Sequence, residues 1–167
     1  MFIPQRRREL LILDTGPIRE FVLFNAVYSD GFESLRSELR FFHDEAAVQK
    51  YQLFVRSFVR RVTSASVVAE LHNWIKHKRD AKSLWKQAYE DFRERKIAEE
   101  VAPLLTMDID LVASVGPVDA SLIAIALQSQ QQKPAILTID DELLGRCSSP
   151  GIDVFHIWDV LANETDR

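Results

Sequence analysis

The sequence LLILDTGP at residues 10–17 joins a continuous apolar run to a carboxylate and a Thr-Gly-Pro turn. An apolar run too short for a helix is typical of a strand buried on both faces, as in the centre of a parallel sheet, so Leu10 to Leu13 is predicted to be a core strand. Ligands of open α/β sheets bind beyond the carboxyl ends of the strands, which puts Asp14 at the mouth of such a site. An Asp here also serves as a helix N-cap or turn residue, and this segment alone leaves both interpretations open.

The composition of the chain is that of one soluble domain. Its 167 residues are 47% hydrophobic and 28% charged, and its 5 Gly and 6 Pro argue against long disordered tracts. No apolar segment approaches the roughly 20 residues that span a bilayer, so we expect a cytoplasmic protein that is not bound to a membrane. The single cysteine, Cys147, excludes an intrachain disulfide and a Cys-rich zinc site, and we interpret it as a small packed residue.

The formal charge of −4 argues against a protein that coats nucleic acid non-specifically. Basic residues are nevertheless clustered in four places. These are Arg6 to Arg8, Arg60 and Arg61, Lys76 to Arg79, and Arg93 to Lys96. Each cluster is either a solvated surface or part of a basic rim beside a substrate groove.

Strand and helix patterns alternate along the chain. Helical spacing predicts a helix over 17–29 and a helical hairpin or broken helix over 31–55. The next predicted helix carries Glu70 in its first turns. A charged amphipathic helix from Asp80 or Ser83 to near Lys96 and an apolar helix from Gly116 to Leu127 follow it. Besides Leu10 to Leu13, we predict strands over 58–62, 101–107, 134–139 and 151–157. The alternation favours an α/β fold with a parallel sheet and right-handed crossovers.

Four carboxylates recur at the ends of these elements. Asp14 and Asp140 each follow a buried strand, and Glu70 and Asp119 each lie near the start of a helix. Helix capping explains any one of them. Several carboxylates converging at one edge of a sheet would repel each other, and such a cluster persists when it holds a hard divalent cation. Oxygen ligands alone favour Mg²⁺ or Mn²⁺ over zinc.

Four segments, in this order, resemble the motifs of PIN-domain nucleases, the fold of the VapC toxins of toxin–antitoxin pairs. LLILDTGP resembles the first motif with Asp14, SASVVAEL the second with Glu70, GPVDASLIAIAL the third with Asp119, and ILTIDDELL the fourth, with Asp140 supported by the hydroxyl of Thr138. The resemblance covers most of the chain. It implies a single PIN-like domain over 1–167 with a helical insertion around 31–55, and a three-layer α/β/α fold whose central, mainly parallel five-stranded sheet has the order 3-2-1-4-5. The short interval between the strand predicted at 101–107 and Asp119 leaves room there for a single helical turn.

By this resemblance the chain is expected to be a metal-dependent endoribonuclease. Asp14, Glu70 and Asp119 would hold Mg²⁺ or Mn²⁺, and Asp140 would bind a second ion or orient the attacking water. RNA is the expected substrate, and an antitoxin protein and a second copy of the chain are candidate partners. Lys76, Lys78 and Arg79, expected some 10 Å beyond Glu70 along its helix, would bind flanking phosphates.

Other readings of an acidic α/β domain fit the sequence less well. A haloacid-dehalogenase phosphatase would need an Asp at position 16, which is Gly, and nucleotide-binding folds would need a glycine-rich loop after the first strand. A receiver domain carries its acids elsewhere in the order of elements. The remaining alternative is a catalytically inactive PIN scaffold that binds a protein or RNA. Loss of acids would be its signature, and all four are present, which favours the nuclease.

Overall fold

The computed structural model describes residues 9–102, 107–147 and 151–162, in which strands and helices alternate. The strands are β1 (Leu10–Leu13), β2 (Arg60–Ser64), β3 (Ile97–Glu100), β4 (Pro134–Thr138) and β5 (Asp153–His156). The α-helices are α1 (Thr15–Tyr28), α2 (Glu45–Arg56), α3 (Ala65–Ile75), α4 (Ala81–Glu94), α5 (Ile109–Val115), α6 (Pro117–Gln128), α7 (Asp141–Arg146) and α8 (Ile157–Ala162). Short 3₁₀ helices cover Glu33–Glu38 and Gln130–Gln132.

The five strands form one parallel sheet in the order β3-β2-β1-β4-β5. This confirms the predicted α/β class, the parallel sheet and the strand order 3-2-1-4-5. Leu10 to Leu13 have no exposed surface, as their central position demands. Right-handed crossovers from β1 to β2 and from β3 to β4 run in opposite directions across the sheet, so α1 and α6 cover opposite faces and complete a three-layer arrangement.

The third strand lies earlier in the chain than predicted. The apolar density of 101–107 was the basis for a strand there, but β3 spans Ile97–Glu100, and Val101 and Ala102 are not in a strand. β3 pairs with β2 alone at the edge of the sheet, so it does not need apolar residues on both faces. Residues 103–106 lie outside the described part. The next helix, α5, has 7 residues, about two turns where we expected one, and it fits between the predicted strand end at 107 and Asp119.

The helical material predicted at 31–55 is a broken helix, as one of the two expectations had it. The 3₁₀ helix Glu33–Glu38 and helix α2 are separated by residues 39–44. The fully buried side chain of Glu20, on α1, accepts hydrogen bonds from the backbone N–H groups of Arg40, Phe41 and Phe42 at 3.0–3.4 Å. Tyr51 of α2 packs against the ring of Phe42 and also against that of Phe21 on α1, and through Phe21 the insertion joins the main core.

Three smaller expectations concern single residues and the membrane. Cys147 is buried, as predicted for a packed residue. His156, at the end of β5, is also buried, and its Nε2 lies 3.0 Å from the carbonyl oxygen of Ile139. No helix in the described part is long and apolar enough to cross a membrane. The basic cluster Arg6 to Arg8 lies outside the described residues.

Candidate active site

The ends of β1 and β4 bring the first and the last of the predicted acids together. The backbone N–H of Asp14 donates to the carbonyl of Leu137 at 3.0 Å, which extends the pairing of the two strands by one residue. Thr138, at the end of β4, donates its hydroxyl to Oδ2 of Asp14 at 2.6 Å and accepts the backbone N–H of Asp140 at 2.9 Å. The Thr138 hydroxyl thus connects the two acids. The resemblance implied only that it supports Asp140, and the contact with Asp14 had not been predicted.

Asp14 and Asp140 are also N-caps, so the capping explanation is correct for both, and it leaves a role of these residues in a site open. Oδ1 of Asp14 accepts the N–H of Thr15 at 2.6 Å at the start of α1. Oδ1 of Asp140 accepts the N–H of Glu142 at 2.8 Å at the start of α7. Capping fixes one oxygen of each carboxylate and orients the other.

Glu70 and Asp119 reach the same place from helices α3 and α6. The hydroxyl of Thr15 donates to Oε2 of Glu70 in a short hydrogen bond that ties α3 to the start of α1. Asp119 lies in the first turn of α6, behind the helix-starting Pro117. The starts of α3 and α6 are joined because Ser121 donates its hydroxyl to that of Ser64, the N-cap of α3, at 2.8 Å.

All four predicted acids line one cavity of about 510 Å³ at the carboxyl edge of the sheet. Its other lining residues had not been predicted as site residues and come from α1, α3, α6 and the end of β4. They are Thr15, Gly16, Arg19, Asn73, Trp74, Val118 and Ile139. The cavity lies beyond the strand ends, where open α/β sheets bind ligands.

Asp14 carries the strongest electrostatic signature of the cavity. Burial raises the pKa of its carboxyl from 3.8 to about 6. The hydrogen bonds from Thr138 and Thr15 oppose this rise, and the negative charges of Glu70 and Asp140 add to it. Metal-free, ionised Asp14 is therefore held at a free-energy cost, and a cation beside it would relieve that cost.

The carboxylates fit Mg²⁺ or Mn²⁺ by their chemistry, because both ions take oxygen ligands. Within the described residues, no group of three His, Cys, Asp or Glu side chains is placed so that it could hold one ion as it stands. Both oxygens of Asp14 and one of Glu70 already accept hydrogen bonds. The carboxylate oxygens are thus the right kind of ligand for such an ion, but several of them are oriented by hydrogen bonds from protein groups.

Gly16 is needed where it stands because a side chain would not fit. A Cβ built on this residue would overlap the side chain of Ile139, which also lines the cavity. The glycine of the Thr-Gly-Pro turn therefore allows α1 to start close to the end of β4. The position of Gly16 directly after Asp14 and Thr15, at the end of the first strand, is a signal that the sequence contains. No such signal points to Ile139.

Arg19, Asn73 and Trp74 were missed by sequence reasoning. Helical spacing could have pointed to them, since Arg19 follows Thr15 by four residues and Asn73 and Trp74 follow Glu70 by three and four, on the same helix faces. The guanidinium of Arg19 lies 5.8 Å from the centre of the Trp74 ring. These residues place a cation and an aromatic ring in an otherwise acidic cavity.

The three residues expected to bind flanking RNA lie outside this cavity lining. We expected Lys76, Lys78 and Arg79 two turns further along the helix of Glu70, and this is wrong, because α3 ends at Ile75 and Lys76 is its C-cap. The chain turns there so that α4 can pack against α1. Lys78 forms an ion pair with Glu38 at 2.6 Å, whereas Lys76 and Arg79 are exposed. An RNA-binding role for this cluster stays a prediction.

No protein-family model and no curated protein matches this chain at a significant level.

Proposed function

We propose that this protein is a metal-dependent endoribonuclease that hydrolyses phosphodiester bonds of RNA. One observation carries the proposal: four carboxylates from four separate segments of the chain line a single cavity beyond the strand ends. Surface acids are usually dispersed, because like charges repel. Their convergence around the buried Asp14 favours a site for a divalent cation, and the ordered resemblance of the four segments to PIN-domain motifs favours RNA as the substrate.

Asp14, Glu70 and Asp119 would hold Mg²⁺ or Mn²⁺, with Asp140 as ligand of a second ion or as the group that orients the attacking water. The bound ion would supply an activated water and neutralise charge on the phosphoryl oxygens. Thr138 keeps the carboxyl of Asp14 and the backbone of Asp140 in a fixed relation. Thr15 holds the Glu70 carboxylate against α1. No side chain has to act as a nucleophile.

RNA cleavage by the purified protein tests this proposal. With Mn²⁺ or Mg²⁺, the wild type should cut members of a panel that includes tRNA, ribosomal RNA and single-stranded oligonucleotides. Asp119→Asn should lower the rate by orders of magnitude without changing the melting temperature of the metal-free protein by more than a few degrees.

Asp108→Asn is the matched control for the cleavage assay. Asp108 is the N-cap of α5 and does not line the cavity. This variant should cut like the wild type. Equal activity of Asp119→Asn and the wild type would overturn the proposal.

A catalytically inactive scaffold that binds a protein or RNA is the second candidate. It is favoured by the absence, among the described residues, of three acids already placed around one ion. RNA that is bound by the wild type but left intact across the whole panel in Mn²⁺ would select this candidate.

The role of toxin in a type II toxin–antitoxin pair is the finer form of the proposal, with an antitoxin protein as partner and a homodimer as the candidate assembly. It is supported by the resemblance to VapC sequences. A small DNA-binding protein encoded next to this chain, which suppresses growth arrest when both are expressed, is the expected finding. Expression of the wild type alone without any growth defect would contradict the toxin role.

A further inference from the structure

We propose that Arg19 is a substrate-binding residue of this cavity, whose guanidinium binds a phosphate of the nucleic acid, and that Trp74 is the residue that positions it. The inference deepens the proposed function and rests on it for the identity of the ligand. It goes beyond it by assigning a phosphate contact to a residue of the cavity lining other than the four acids.

Arg19 points at the cavity because of its place on α1. It follows Thr15 by four residues, which puts both side chains on one face of the helix, and both line the cavity together with Asp14. The side chain of Arg19 is half-buried. A cation held this close to the acids is available to a ligand that enters the cavity.

The guanidinium of Arg19 has unused hydrogen-bonding capacity. Its Nε is buried and has no hydrogen-bond partner among the described residues, and no described acid forms an ion pair with it. Arg36 and Lys78, by contrast, are paired with Glu33 and Glu38. A buried, unpaired donor of a charged group is costly, and a phosphate bound by the guanidinium would satisfy it once the side chain turns Nε towards the cavity.

Trp74 fixes the guanidinium from the side. Arg19 lies 5.8 Å and Lys78 lies 5.3 Å from the centre of the Trp74 ring, and Lys78 is anchored by both carboxylate oxygens of Glu38. Two cations are thus already in contact range of this ring. Trp74 therefore serves as the support for Arg19 and not as a free surface for stacking a base.

The negative charge of the cavity explains why a cationic residue such as Arg19 would help a phosphate to bind there. Four carboxylates repel a phosphodiester, and a divalent cation offsets only part of their charge. The guanidinium of Arg19 supplies a further positive charge and can form two parallel hydrogen bonds to a phosphate. Lysine at this position would keep the charge but not the paired hydrogen bonds.

Binding of a fluorescently labelled single-stranded oligoribonucleotide, measured by anisotropy in Ca²⁺ so that binding is separated from cleavage, tests the proposal. Arg19→Gln should weaken binding about ten- to hundredfold, the range of a lost charged hydrogen bond. It should also reduce the slope of log affinity against log salt by roughly 0.7, the value for one phosphate contact on a single strand. Arg19→Lys should restore the slope but only part of the affinity.

Arg56→Gln is the control for charge alone, since Arg56 is exposed at the end of α2 and does not line the cavity. It should bind RNA within twofold of the wild type. The melting temperature of each variant, with and without Mn²⁺, reports folding and the metal site, and we expect the Mn²⁺-induced shift of Arg19→Gln to equal that of the wild type.

A double-mutant cycle separates positioning by Trp74 from direct stacking. If Trp74 acts through Arg19, Trp74→Leu added to Arg19→Gln should cause little further loss, whereas an independent stacking contact would make the two losses additive. Additive losses would overturn the role of Trp74.

An unchanged salt slope and affinity in Arg19→Gln would overturn the phosphate site, as would a wild type that binds no RNA. If Arg19→Gln weakens RNA binding as expected but the wild type does not cleave RNA in Mn²⁺, only the proposed reaction is overturned.

Discussion

The carboxyl of Asp14 caps a helix, but its ionisation lowers the stability of the folded state. Its pKa of about 6, raised mainly by burial from 3.8, means that the folded state holds the proton more tightly than the unfolded state. The resulting stability is fully present below about pH 4 and is lost as the pH rises through about 6. Without metal, ionisation of this group therefore costs the fold about 3 kcal/mol at pH 7.

Asp14→Asn should remove this cost while keeping the cap, because Asn also caps helices well. In metal-free buffer we expect the variant to be as stable as the wild type or more stable at pH 7, and the difference to shrink towards pH 4. Urea unfolding of both proteins at several pH values between 4 and 7 measures it. A difference that is the same at pH 4 and at pH 7 would show that the charge of Asp14 does not oppose folding.

Single residues also mark where sequence reasoning ends. Asp14, Glu70, Asp119 and Asp140 could be selected because a carboxylate at the end of a buried strand or the start of a helix is visible in the chain. Arg19 and Trp74 have only the weaker signal of helical spacing from Thr15 and Glu70, because an Arg or Trp on an amphipathic helix looks the same whether it faces a cavity or solvent. The packing of α1 against α3 brings these two side chains together.

Elements were predictable where burial dictates composition. Strands β1 and β4 are buried along their whole length and read as apolar runs, whereas β3 has the sequence IAEE and is half-buried to exposed. An edge strand is defined by its backbone pairing with β2, which leaves little trace in residue type. The turn after α3 was missed for a related reason, since no Gly or Pro marks it.

The contact between Glu20 and the backbone of residues 40–42 is one of the contacts that attach the insertion to α1. Glu20→Ala would leave those buried N–H groups without acceptors, so we expect a loss of roughly 1–3 kcal/mol in the free energy of unfolding. We also expect faster amide hydrogen exchange confined to the 3₁₀ helix and residues 39–44. Glu20→Gln, which keeps one oxygen, should lose less. Unchanged exchange in Glu20→Ala would contradict this role.

If RNA is the substrate, as proposed, the molecule has to bind a polyanion despite its net charge of −4. Lys76 and Arg79, beyond the end of α3, are exposed and remain the cations predicted to bind phosphates outside the cavity, since Lys78 is engaged by Glu38. Replacing Lys76 and Arg79 with Gln should weaken RNA binding and flatten its salt dependence, and leave Mn²⁺ affinity unchanged. Replacing Arg6 to Arg8 is the comparison, and an equal loss from that cluster would place the RNA on a different face.

Calorimetric titration of the metal-free protein with Mn²⁺ decides whether the cavity works as a metal site. We expect the wild type and Asp108→Asn to bind Mn²⁺ with equal affinity, and Asp119→Asn to bind it at least tenfold more weakly. At a hundredfold excess over the dissociation constant, binding should stabilise the wild type by about 2.7 kcal/mol, which a melting curve recorded on the same samples should show. No heat of binding at millimolar Mn²⁺, or the same affinity in Asp119→Asn as in the wild type, would contradict a metal site built from these four carboxylates.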